Sequence, residues 1–396
     1  MDNKIIYTLY KGMLTVALPL AMAACGKNDE PKPAPVPETY DRVTVIYAVN
    51  RSSLAGDFTE DCAEMTTAMT KVDLNKNRLL LYRTDSESTT GLYTMTKEGD
   101  TYRWTRLKSY DRTTTSTHPD RMAEVLRDAV DAYPAESRTL FFWGHGSAWT
   151  PEDSDHEVGT RTKADAPVCY GYGGEYGKNG KTNWTDIDEL ANAIPDGTFD
   201  TIWFDCCYMA SIEVAYELRD KTRWYVAYPT EVWDKGMNYD AILPLTMQAT
   251  PNLKLAASMF FVGYNDYKDP VTVTVMDMSK IEPVADAVGA FYKACPDAAQ
   301  NVSGVVNYRR QRGTPYYDMM QLLRRRAGDR TTPELQAVTD ALDQFVVMHL
   351  ESTVDFNNNS WVNPILCGLS LHNFTNQDTS EDRYYKTLSW YKSVTR

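Results

Sequence analysis

Short, nearly continuous apolar runs recur along the chain, separated by stretches in which apolar residues return at helical spacing. Residues 43–49 form a β-branched, apolar run bounded by polar residues and predict a buried strand; residues 79–82 predict another. Residues 58–69 between them are compatible with a helix. Pro119 stands where a first helical residue belongs, and Met122, Val125, Leu126 and Val130 then share one helical face until Tyr133-Pro134 ends the segment. Runs at 139–143 and 201–204 predict two further strands, the second preceded by a helix over 186–194 and followed by one over about 209–218. Runs at 224–227 and 271–275 complete the series. Strands buried on both faces that alternate with amphipathic helices predict βαβ units, hence an α/β fold with a mostly parallel sheet flanked by helices on both faces.

Two stretches break this rhythm. Residues 151–183, rich in Gly, Asp, Lys and Thr, show little periodicity and predict a long functional or cleavable loop. Residues 26–40 carry Pro31, Pro33, Pro35 and Pro37 among polar residues, the composition of a stiff unfolded spacer. Ahead of it, Lys4 and Lys11 precede an apolar run over 13–24 that ends in Met22-Ala23-Ala24-Cys25, the layout of a cleaved export signal and too short for a mature membrane span. The expected organisation is a signal over 1–24, a linker over 25–40, a main domain over 41–290 and a smaller α+β extension packed on it over 291–396, with a late apolar run at 364–371.

Charge and cysteine usage then narrow the chemistry. A formal net charge of −13 argues against a nucleic-acid binder, which needs a basic surface to neutralise phosphates. After Cys25 there remain Cys62, Cys169, Cys206, Cys207, Cys295 and Cys367, with neither a dense disulfide framework nor a CxxC metal pattern. No metal site is expected from these spacings.

In open α/β sheets reactive groups gather at the carboxyl ends of the strands. His145, in Trp143-Gly144-His145-Gly146-Ser147, follows one predicted strand, and Cys207, in Phe204-Asp205-Cys206-Cys207-Tyr208-Met209, follows the next. Neighbouring strands would place both side chains on one rim. The glycines flanking His145 allow close approach of a substrate backbone, and an amide near Gly146 could face an oxyanion. A helix beginning just after Cys207, together with an imidazolium, would favour the reactive thiolate. Each residue alone also has a structural reading, the Cys as a small buried hydrophobe and the His as a packed polar side chain.

These two segments resemble the clostripain-like cysteine peptidases, relatives of the caspases and gingipains, in which one apolar strand ends in Gly-His-Gly and another in Phe-Asp-Ala-Cys-Leu-Met. Val43-Thr44-Val45-Ile46-Tyr47-Ala48 resembles the family's first strand, Ile212-Glu213-Val214-Ala215-Tyr216-Glu217-Leu218 the helix after the Cys, and Asp277-Met278-Ser279-Lys280 a later segment. The resemblance implies a caspase-like fold, His145 as base, Cys207 as nucleophile, and the backbone amides of Gly146 and Cys207 as oxyanion donors, with no cofactor required. It implies protein or peptide substrates with Arg or Lys at P1, held by Asp205; an Asp capping the following helix is the alternative reading of that residue. Glu231 and Asp234 are the candidates for a second acidic group, although Lys235 in the same loop would oppose a basic side chain. Cys206 stands where the family carries Ala. Self-cleavage occurs in the family and would fall here at Arg161 or Lys163. Calcium stimulation also occurs in the family, and the acidic run Glu152-Asp153-Ser154-Asp155 could bind such a hard cation, with a solvated acidic loop as its alternative. Met22-Ala23-Ala24-Cys25-Gly26 resembles a lipobox with Cys25 lipidated, and the charged residues after it resemble the surface-export signal of Bacteroides-type lipoproteins. That implies attachment to a bacterial envelope membrane, at the outer membrane or cell surface.

Overall fold

The computed structural model describes residues 39–85, 90–151, 169–177, 181–264, 268–309 and 314–396. Cys25 with the whole expected export segment, the acidic run Glu152-Asp153-Ser154-Asp155, and Arg161 and Lys163 lie outside the described residues.

β1 (Tyr40–Ala48), α1 (Ala55–Ala68) and β2 (Asn77–Thr84) are followed by a hairpin of β3 (Thr90–Glu98) and β4 (Thr101–Tyr110). α2 (Pro119–Ala132) leads into β5 (Ala135–Trp143), then β6 (His145–Pro151), β7 (Cys169–Tyr176), β8 (Thr182–Thr185), α3 (Ile187–Ala193) and β9 (Thr201–Asp205). α4 (Ile212–Glu217), β10 (Trp224–Ala227), α5 (Tyr239–Thr246), α6 (Leu253–Val262), β11 (Thr272–Asp277) and α7 (Ile281–Ala294) come next. The chain closes with β12 (Tyr317–Asp318), α8 (Met319–Arg326), α9 (Pro333–Phe345), β13 (Val346–Glu351), β14 (Ser370–Leu371), α10 (Ser380–Tyr385) and α11 (Ser389–Val394).

The main sheet has nine strands in the order β13-β11-β10-β9-β5-β1-β2-β3-β4. Its centre, β10 through β2, is parallel, and antiparallel strands extend it on both sides. Side chains alternate between faces, so each central strand feeds two cores. Val45, Tyr47, Leu140, Phe142, Ile202 and Phe204 pack with α2, α3, α4 and α7 on one face. Ile46, Phe141, Trp143 and Trp203 pack with α1, α5 and α6 on the other. α2 forms where its sequence dictates: Pro119 opens it, the His118 ring accepts the Asp120 amide, and Met122, Val125, Leu126 and Ala129 are buried.

Several expectations are corrected. The region 151–183 is not one loop: β7 pairs with β6 on one side and with β8 on the other in a second, three-stranded antiparallel sheet. Its Gly-rich strand Cys169–Tyr176 hides the usual strand signature. The helix expected over 209–218 begins only at Ile212, because residues 206–211 turn back to bond the segment after β10. The strand predicted at 271–275 is present and pairs antiparallel with β10. The hairpin β3–β4 has no counterpart in the apolar pattern, since β4 exposes Arg103, Arg106 and Lys108 as an edge strand does. The expected boundary near residue 290 does not coincide with a break in packing. β13 joins the main sheet beside β11, Leu335, Val338 and Leu342 of α9 share the core with α7, and the described residues form one compact unit.

Candidate active site

β5 and β9 are hydrogen-bonded parallel neighbours with Trp143 opposite Asp205. His145 and Cys207, two residues further along their respective chains, therefore leave the sheet at one rim. Both line a cavity of ≈ 260 Å³, together with Asp205 and with Glu231 and Asp234 from the segment after β10. The sequence-derived dyad and the three carboxylates expected to hold a basic side chain thus line one space.

His145 is the first residue of β6, paired opposite Gly173, rather than a free loop residue. Its Nε2 lies 2.9 Å from the Ser53 hydroxyl, and its ring centroid is 6.2 Å from that of Trp184. Burial holds the imidazole pKa below its usual value, so the neutral form dominates near neutrality. Gly174 is required beneath the ring: its φ is +73°, and an added Cβ would stand 2.8 Å from His145 Cδ2.

Cys207 sits on a tight turn whose next residue, Tyr208, has φ of 65°, a strained conformation for a bulky side chain. The strain is held by surrounding contacts. The Tyr208 amide donates to Thr230 O at 2.8 Å, the Ala210 amide donates to Tyr228 O at 3.0 Å, and the Tyr208 ring packs 5.4 Å from Tyr316. The turn aims the Cys207 sulfur at the segment after β10, where the Val232 amide donates to it at 3.3 Å. Burial pushes the Cys207 thiol up to about 11; the Val232 amide opposes this, and Glu231 and Asp205 add to it. The thiolate expected from a helix N-terminus is therefore absent from the resting site, because α4 starts too late and the nearest charges are carboxylates. Cys206 points the other way. It is buried, with its S–H directed to Phe142 O at 3.5 Å, and burial pushes its pKa well above the ordinary thiol value. Gly146 packs so closely on this turn that a Cβ would stand 2.5 Å from Cys207 O and 2.8 Å from Cys206 Cβ.

Asp205 is buried, and its Oδ2 accepts from the Met237 amide at 3.2 Å and the Tyr239 hydroxyl at 3.0 Å. Its Oδ1 has no hydrogen-bond partner among the described residues. It caps no helix. Burial pushes its carboxyl up to about 6 against those two hydrogen bonds, with Glu64 adding a little. Lys235, the residue that would oppose a basic ligand, is drawn away: its Nζ lies 2.8 Å from Asp269 and 4.2 Å from the Tyr264 ring centroid. Among the described residues, the cavity lining contains neither Lys nor Arg.

Sequence reasoning missed Ser53, and also a clamp from the C-terminal third. Arg309 Nη1 donates to Thr150 Oγ1 at 2.7 Å and its guanidinium lies 5.7 Å from the Tyr208 ring centroid, while the Tyr316 hydroxyl donates to Ser147 O at 2.7 Å. These contacts tie the His145 strand to the Cys207 turn. No local pattern marks either residue; only long-range contact reveals them.

The sequence model of the clostripain family matches residues 46–394. This chain belongs to the clostripain family. It is accordingly a cysteine-type endopeptidase, and the relatives of known structure share its caspase-like architecture. A secreted C11 cysteine protease from Bacteroides thetaiotaomicron, solved with an irreversible peptide inhibitor, is 23% identical with a TM-score of 0.75 over 89% of this chain and 98% of that one. An inactive zymogen C11 protease from Parabacteroides distasonis is 22% identical with a TM-score of 0.75 over 91% of this chain and 100% of that one. No curated protein sequence matches the chain at a significant level. Among the described residues, no group of His, Cys, Asp and Glu side chains could hold a metal ion, no helix is long and apolar enough to cross a membrane, and Cys62, Cys206, Cys207, Cys295 and Cys367 form no disulfide.

Proposed function

We propose that this clostripain-family peptidase cleaves proteins or peptides after Arg or Lys, with Cys207 as nucleophile and His145 as base, outside the cytoplasm on a lipid anchor at Cys25. The observation that supports the reading best is the cavity itself, which gathers the Cys207 thiol, the His145 imidazole and the carboxyls of Asp205, Glu231 and Asp234, with neither Lys nor Arg among the described residues of its lining. A guanidinium or ammonium entering it would meet Asp205 Oδ1, which has no hydrogen-bond partner among the described residues, and its charge would draw that carboxyl into the ionised form.

Both reacting groups start neutral, so proton transfer accompanies attack. His145 takes the thiol proton as the Cys207 sulfur bonds to the substrate carbonyl carbon, and the oxyanion is received by backbone amides at Gly146 and Cys207. The imidazolium then protonates the departing amine, leaving a thioester, and water activated by His145 releases the acid. Self-cleavage after Arg161 or Lys163 would follow the same specificity, and N-terminal sequencing of purified fragments tests it. Calcium bound by Glu152, Asp153 and Asp155 is a further proposal, tested by titrating the ion against activity. Radiolabelled palmitate incorporation that disappears in Cys25→Ala tests the anchor.

Small fluorogenic Arg and Lys amides test the central claim. Wild type turns them over, Cys207→Ala does not, and Cys206→Ala stays active. Loss of activity in Cys206→Ala alone would reassign the nucleophile. A second reading, a lipid-anchored binding protein that has lost turnover, draws on the Ser53 contact that occupies His145 Nε2 and on the raised thiol pKa. Binding of a basic peptide with no Cys207-dependent cleavage would favour it.

A further inference from the structure

The cavity continues past the thiol on the side away from His145. Along the sheet the order is β5, β9, β10, β11, β13. β10 runs parallel to β9, while Ala227 pairs with Thr274 and Thr272 with Glu351, so the chain leaving β13 emerges at the same rim as the chain leaving β10. The rim therefore presents His145, then Cys207, then Trp233, then Phe356. Trp233 and Phe356 line the cavity and stack on each other, with ring centroids 5.4 Å apart and planes 26° apart.

This aromatic wall is built and braced. The Trp233 indole N–H donates to Pro270 O at 3.0 Å, which satisfies its polar edge. Phe356 is only 8% exposed, at the tip of a loop closed on itself. The Asp355 amide donates to Asn359 O at 2.8 Å, the Asp355 carboxyl accepts the Asn357 and Asn359 amides at 2.8 and 3.0 Å, and the Trp361 indole donates to Ser352 O at 2.8 Å. An apolar surface held rigidly at the mouth of an acidic cavity recognises an apolar group, because the water over it is released on binding and no loop need be ordered.

The chemistry says which group that is. The imidazole protonates the departing amine, so the leaving half of the substrate lies on the His145 side of the sulfur and the acyl half on the other. The basic side chain of the acyl half descends toward Asp205, and the residue before it in the substrate lies further along the rim. We propose that Trp233 and Phe356 form the subsite for that preceding residue, P2, and that it selects apolar side chains of leucine to phenylalanine size. The proposal rests on the reading of His145, Cys207 and Asp205 above and narrows the substrate class to apolar-basic pairs.

Dipeptide fluorogenic amides ending in Arg, with Leu, Phe, Gly or Asp before it, test this on the full chain. The expected kcat/KM for Leu-Arg or Phe-Arg exceeds that for Gly-Arg by about tenfold or more, with Asp-Arg poorest. In Trp233→Ala, and independently in Phe356→Ala, the Leu-Arg to Gly-Arg ratio falls toward one, while Phe356→Leu, which keeps an apolar contact, retains most of it. A wild-type ratio near one would overturn the subsite. So would variants in which both substrates decline together and the ratio persists, since the stack would then be wall for the basic side chain. Absence of Cys207-dependent turnover of every basic amide would overturn the underlying reading and the subsite with it.

Discussion

Cys206 and Cys207 are chain neighbours with opposite environments: one thiol is sealed inside the sheet against Phe142 O, the other faces the Val232 amide and the acidic cavity. Both are held as thiols by burial, so slow alkylation of the free enzyme by iodoacetamide is expected, with the rate rising toward the Cys207 value of about 11. Asp205 governs the opposite limb. Its carboxyl titrates at about 6, so its charge is present above that pH and is lost as pH falls through it. For basic substrates kcat/KM should therefore rise with pH through about 6, and Asp205→Asn should remove that limb and lower kcat/KM by about 30-fold or more, the usual cost of leaving a buried charge unpaired. A pH–rate profile of the two proteins checks both. The residue types at these positions were legible in the sequence, but their protonation was not, because it depends on Glu231, Val232, Met237 and Tyr239, which are far away in the chain.

The two reactive side chains stand on elements that are stiff for different reasons. β6 is held by pairing with β7, whereas the Cys207 turn is held in a strained conformation by contacts from Thr230, Tyr228 and Tyr316. Gly146→Ala would drive a methyl into the turn at 2.5 Å from Cys207 O, and kcat is expected to fall about 100-fold, as for loss of an oxyanion donor. Circular dichroism should show the fold retained. Tyr316→Phe keeps the ring and removes the hydroxyl that donates to Ser147 O, so thermal unfolding should register a loss of about 1 kcal/mol, together with a lower kcat as the His145 strand loosens. Strands with unbroken apolar runs, such as β1, β5 and β9, announce themselves in the sequence. β4, β7 and the C-terminal β13 do not, because an edge strand, a Gly-rich strand and a half-buried strand carry a weaker pattern than a fully buried one.

Across the whole molecule, the chain after residue 290 completes the peptidase. Trp390 is fully buried against Tyr216 of α4, and Trp149 of the His145 strand stacks on Tyr384 of α10 with planes 6° apart. Trp390→Ala should destabilise the protein by about 3–5 kcal/mol, readable as a large drop in melting temperature. β6 and β7 pair through Pro151 and Cys169, and Asp186 at the start of α3 accepts both the Cys169 amide and the Tyr384 hydroxyl. A chain cut between 152 and 168 should accordingly elute as one species on gel filtration and separate only in denaturant. Sequence alone determined the α/β class, the central strands, and which His and Cys end neighbouring strands, because apolar period and strand-end position are local properties. Only the tertiary structure decided that the thiol rests uncharged, which carboxyl keeps an open oxygen, that Lys235 is turned aside, and that Ser53, Arg309, Tyr316 and Phe356 reach the site. Each of those depends on segments far apart in the chain meeting in a buried, low-dielectric space.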